Sequence, residues 1–180
     1  TLHIGHTLSY LDEVDHTKDD YLAYMSEGIQ KTYQGRIDRV KNADAKTVAD
    51  RKQLDTFFGK LAKSLNTAGV SLLAGSDSGA YNSYTYPGIS LHKELEAMVN
   101  AGISPLDALR SSTLNGSNFL EKDSDYGSIS EGKIADLVFL NNDPLKDIKN
   151  TTDIELVIKQ GKVYSKQTLD SLLNSARTKP

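Results

Sequence analysis

The stretch from Val70 to Gly79, VSLLAGSDSG, constrains this chain more than any other: a largely apolar run, Val70 to Ala74, is followed by a carboxylate, Asp77, with small residues on both sides. A run this short and this apolar reads as a parallel strand covered on both faces. Gly69, just before it, ends an amphipathic helix whose buried stripe is expected to carry Leu54, Phe57, Phe58, Leu61, Leu65 and Ala68. Helix, glycine, buried strand and glycine-rich loop, in that order, predict a βα arrangement and an α/β fold class.

Upstream, Thr1 to Gly5 is expected as a strand. Leu22, Met25, Ile29, Tyr33, Ile37 and Val40 recur at helical spacing and predict one helix from Asp19 to Val40. Downstream, Leu91, Leu95, Met98 and Val99 mark a helix ended by Gly102. In SPLDAL, Ser104 caps the next helix, Pro105 takes its first position and Asp107 completes a pattern like a capping box. LNGSNFL reads as a further short helix with Asn115 as its cap. Past Tyr126 the periodicity changes. GSISEGKIADLVFL and DIELVIKQGKVY are short β runs, Gln160-Gly161 is a two-residue hairpin turn, and Leu169, Leu172, Leu173 and Ala176 form a closing amphipathic helix. The expected division is 1–125, 126–165 and 166–180.

Composition narrows the function. With 180 residues, 38% hydrophobic and 25% charged, the chain has enough apolar material for one sizeable core. A net charge of −3 offers no basic stripe for phosphates, so no nucleic-acid partner is expected. No apolar stretch approaches the ~20 residues of a bilayer-spanning helix, so no membrane is expected and the chain reads as soluble. Zero cysteines exclude thiolate chemistry but leave the compartment open, cytoplasmic or exported. The chain begins with Thr1 rather than Met, which suggests a piece of something longer.

In parallel α/β folds ligands bind beyond the carboxyl ends of strands, where Asp77 stands. A carboxylate there, with room around it, can ligate a divalent cation or accept a proton from a water; it can equally form a local turn, as aspartates near glycine often do. His3 and His6, three apart on a strand, would face opposite sides and make a poor chelating pair. His16 lies in a charged turn and is expected in water; His92, early in a helix, is expected to pack or meet a carboxylate. Tyr81, Tyr84 and Tyr86 can wall a substrate pocket or simply pack the loop.

GVSLLAGSDSG, then PGISLHKELEAMVNAGISPLDALRSSTLNGSNFL, GSISEGKIADLVFLNNDPLKDI and IELVIKQGKVY together resemble the C-terminal part of a metal-dependent amidohydrolase of the imidazolonepropionase-like and prolidase-like branch. The resemblance implies a C-terminal fragment of a (β/α)8 TIM-type barrel, its last two βα units, plus part of a small β-sandwich. It implies that Asp77 is the eighth-strand aspartate, both metal ligand and general base. It places HIGH near the end of the seventh strand, with His6, and Tyr81 in the loop beyond Asp77, as substrate-binding candidates. Gly132, Lys133 and Asp136 become structural. The implied cofactor is a divalent metal, zinc by preference, one or two ions in the intact enzyme; the implied substrate is a small amide, cyclic amide or dipeptide cleaved at a C–N bond.

The family's other metal ligands have no counterpart in this sequence. The expectation is therefore a fragment that is inactive and binds metal weakly alone, its partner being the remainder of its own chain or further copies of itself. Two rivals remain: a non-catalytic binding or structural module, and a deaminase on the same scaffold.

Overall fold

The computed structural model describes residues 1–79 and 84–177. Helices α1 (Leu2–Ser9), α2 (Glu27–Lys41) and α3 (Ala45–Thr67) lead to a stretch without regular secondary structure at 70–78. Then come α4 (Ile89–Asn100), α5 (Pro105–Ser111), α6 (Leu114–Phe119), β1 (Leu137–Leu140), β2 (Ile154–Lys159), β3 (Lys162–Ser165) and α7 (Lys166–Ala176). Short 3-10 turns occupy His16–Lys18, Asp20–Tyr24 and Ile148–Thr152. The chain thus combines helices with a three-stranded antiparallel sheet in the order β1-β2-β3. No helix among the described residues is long and apolar enough to cross a membrane.

Several local rules act as written in the sequence. Ser104 accepts the Asp107 N–H at 3.1 Å, with Pro105 opening α5. Gln160 and Gly161 have φ of 50° and 78°, the doubly left-handed turn a two-residue hairpin needs, and Lys159 pairs with Lys162 across it. Asp136 accepts the Gln160 N–H at 2.7 Å and pairs with Lys159, so it pins the hairpin; Lys133 bonds the carbonyls of Asp123 and Tyr126. Both have the structural roles expected of them. Beyond β3, α7 is capped by Ser165 and packs on the hairpin.

Two apolar cores form. One joins Leu11, Tyr33, Ile37, Val40, Tyr84 and Tyr86; the other joins Leu95, Met98, Ile103, Ala108 and Ile148.

Five expectations are corrected. Thr1 to Gly5 is not a strand but the start of α1, because the buried Glu94 carboxylate accepts the N–H groups of Leu2 and His3 at 2.9 and 2.7 Å and so closes a helical first turn. The helix expected over Asp19–Val40 breaks before Ser26, and Gln30 donates to the carbonyls of Leu22 and Met25 that the break frees. Asn115 is not a cap; it lies inside α6 and donates to the Leu72 carbonyl at 2.9 Å.

The other two concern burial. Val70 to Ala74 has no regular secondary structure and belongs to no sheet among the described residues. It is tied instead to α5 and α6, through Ala74 N–H to the Ser111 carbonyl at 2.9 Å and through Asn115. Most consequential, the apolar stripe of α3 faces outward: Leu54, Phe57, Phe58, Leu61 and Leu65 are 37% to 55% exposed. The inward line of that helix is small or polar, with Arg51, Asp55, Gly59, Ala62 and Asn66 half-buried against α1, α4 and α5. His6 and Ser9 of α1 meet this face at Asp55 and the Arg51 carbonyl, Asn66 donates to Asp107 of α5, and Ala62 packs on the second core.

Candidate active site

Asp77 is held from behind. Leu72 and Ala74 pack on the second core, while Ser71 and Leu73, alternating with them, face outward. Three residues past this run, Asp77 is exposed and adopts φ 51°, a left-handed conformation that aspartate tolerates better than most residues. Ser76 Oγ accepts the Ser78 N–H at 3.4 Å. Beside them the Ser78 hydroxyl is buried with no hydrogen-bond partner among the described residues. A buried hydroxyl left unpaired is costly, and one next to an exposed carboxylate marks a place where a polar group is wanted.

A second concave region, about 550 Å³ in volume, opens between α1, α3 and α4. Its polar lining includes His3, His6, Asp55, Lys60, Lys93 and Glu96. Because α1 is a helix, His3 and His6 share one face, contrary to the strand-based expectation. His6 Nδ1 lies 3.0 Å from Asp55 Oδ2. An ionised carboxylate only accepts, so in the neutral ring Nδ1 carries the proton and Nε2 is left as an acceptor. Lys93 pairs with Glu96 at 3.0 Å. Burial first, and the Lys93 ammonium second, push the His3 imidazole down to about 4.

Among the described residues the structure does not bring Asp77 and His6 into one pocket. Asp77 is not among the residues lining the cleft that holds His6. Tyr81 lies outside the described residues. Tyr84 and Tyr86 are core side chains stacked about Tyr33, not pocket walls. His16, expected in water, is half-buried: it stacks on Tyr84 at 4.2 Å and bonds Asp19, which also accepts the Tyr86 hydroxyl at 2.7 Å. His92 packs as expected, 3.0 Å from Thr151 Oγ1, and burial lowers its pKa. Asp55 and Glu94 escaped sequence reasoning because they are two of 24 acids and sit at ordinary helical positions. Only their distant partners distinguish them.

Among the described residues no group of three or more His, Cys, Asp or Glu is arranged to hold a metal ion. The donors gathered here do not fit a metal by themselves; Asp77 offers one carboxylate, where a site needs about four ligands.

The profile of the amidohydrolase family matches residues 5–164. This chain belongs to the amidohydrolase family. An adenine deaminase of Clostridium botulinum (strain ATCC 19397 / Type A) is 39% identical over 70 residues, 37% of this chain and 11% of that enzyme. A bottromycin amidohydrolase superposes with a TM-score of 0.71 at 21% identity, covering 97% of this chain and 38% of its own. A Xaa-Pro dipeptidase with methionine bound in its active site gives 0.62 at 20% identity, covering 91% and 33%. At these identities the two structures speak for the fold alone. This chain spans 11% of the deaminase and 33% to 38% of the two solved relatives.

Proposed function

We propose that this chain forms the C-terminal part of an amidohydrolase that cleaves an amide or cyclic-amide C–N bond, with dipeptides as the substrate class, and that Asp77 is its general base. The observation carrying this reading is the setting of Asp77: exposed, in a left-handed backbone conformation, just past a segment tied to α5 and α6, beside a Ser78 hydroxyl with no partner among the described residues. In this reading that segment is the last strand of a (β/α)8 barrel. Its outward line, Ser71 and Leu73, is the face the earlier strands would cover. The sheet at β1 to β3 belongs to the small β-sandwich.

Asp77 accepts the proton of the attacking water and returns it to the departing nitrogen, so one carboxylate serves both halves of the reaction. Enzymes of this superfamily generally use divalent metals, zinc being the preferred ion here. Held by Asp77 together with ligands from the rest of the protein, such an ion would lower the pKa of water and polarise the scissile carbonyl. His6 and Tyr81 are retained as candidate substrate contacts.

A deaminase reading is favoured by the likeness to adenine deaminase. It keeps Asp77 in the same role and changes only the leaving group. The complete protein, assayed with the dipeptide Met-Pro for proline release and with adenine for ammonia release, separates the two. Asp77→Asn is expected to lower kcat about 1,000-fold on whichever substrate turns over, with the melting temperature unchanged. Near-normal turnover by that variant would overturn the assignment.

A further inference from the structure

Glu94 is the most buried acid in the second half of this fold, 3% exposed, and it spends its carboxylate on an element far away in sequence. Its Oε1 accepts the Leu2 N–H at 2.9 Å and its Oε2 the His3 N–H at 2.7 Å. These are two of the four donors that any helix leaves unpaired at its start. α1 has no provision of its own for them: Thr1, at the cap position, makes no side-chain capping bond, and the first turn holds no acid. An ionised carboxylate facing these amides also meets the positive end of the helix dipole, and such charge-assisted bonds are about twice as strong as neutral ones.

The clamp has a location as well as a strength. Glu94 belongs to α4, the first helix after the Asp77 loop. The other end of the contact, the start of α1, lies against the segment that carries Asp77: the Thr1 methyl is 3.9 Å from where a Cβ on Gly75 would stand. One side chain therefore ties together the helix that follows Asp77 and the helix that starts beside it.

We propose that Glu94 is a positioning residue for the candidate active site: by holding the first two amides of α1 against α4, it fixes the wall beside the Asp77 segment and so the placement of Asp77. This rests on the reading of Asp77 as the base. A misplacement of a reacting group by about 1 Å can cost up to 100-fold in rate, so a loosened clamp should register in kcat.

The test uses the complete protein with Met-Pro or adenine, whichever it turns over. Glu94→Gln keeps the shape but replaces one acceptor by a donor that faces the amides. It is expected to lower kcat about tenfold with KM within about twofold, and to speed amide hydrogen exchange at Leu2 and His3. A second variant separates positioning from simple capping. Adding Thr1→Asp to Glu94→Gln gives α1 a cap of its own, which restores exchange protection without restoring the tie to α4. A kcat that stays low in the double variant supports the proposal. A kcat restored along with protection would overturn it, leaving Glu94 a plain helix cap. Unchanged exchange in Glu94→Gln would overturn it regardless of kinetics. Asp77→Asn, run in parallel, reports on the underlying reading separately: if it remains active, the role of Asp77 falls, and exchange still decides whether the clamp exists.

Discussion

His6 Nδ1 and Asp55 Oδ2 stand 3.0 Å apart, joining α1 to α3 across 49 residues of sequence. The His6 side chain is 61% exposed while Asp55 is only 19% exposed, so the carboxylate is the fixed member of the pair and the ring is the one being oriented. An acceptor-only partner selects the tautomer with the proton on Nδ1.

That selection is measurable. In Asp55→Asn the new side chain can donate as well as accept, and His6 is expected to become a mixture of tautomers. Nitrogen-15 NMR of the imidazole above its titration range checks this. A single Nδ1–H tautomer in both proteins would show that Asp55 does not set the ring.

The half-buried imidazoles of His3 and His92 give stability a pH dependence of known sign. His3 is pushed from 6.5 down to about 4, by burial before any charge, and His92 is lowered by burial. Below the unfolded value the unfolded chain takes up protons that the folded chain refuses, so stability falls as pH drops through 6.5 towards 4. The His3 contribution to the slope ends below that folded value. Urea unfolding at about pH 7.5, 5.5 and 4.5 is expected to show the decline, and His3→Gln to make it shallower. A parallel decline in the variant would remove His3 as its cause.

The hairpin between β2 and β3 carries Gln160 at φ 50°, where asparagine is more at ease, and Gly161 at φ 78°. Gln160→Asn is expected to stabilise the protein by about 0.5 kcal/mol. Gly161→Ala is expected to cost about 1 kcal/mol or more, since a side chain is strained there. Denaturant midpoints for the two should move in opposite directions.

Phe58 is 47% exposed on the open stripe of α3. If that face is open in solution, Phe58→Ser changes stability by about 0.5 kcal/mol or less, as surface substitutions do. A loss above about 2 kcal/mol would show that the face is covered, and sedimentation of the same samples would reveal whether by self-association.

What the sequence determined alone is what depends on neighbours along the chain. The Ser104 cap, the Gln160-Gly161 turn, the closing helix and the change of periodicity after Tyr126 are all settled within a few residues, where backbone sterics and the first unpaired amides decide. Membership of the amidohydrolase family was likewise legible, because motif order survives in sequence.

What only the tertiary structure decided depends on partners remote in sequence. HIGH became a helix because Glu94 reached its first amides; on α3, Asp55, the Arg51 carbonyl and Asn66 found partners on the side opposite the apolar stripe; and Val70 to Ala74, in no sheet among the described residues, is held by α5 and α6. Periodicity tells which face of an element is apolar. Which face is buried is a property of the surfaces it meets, and those surfaces are assembled only in three dimensions.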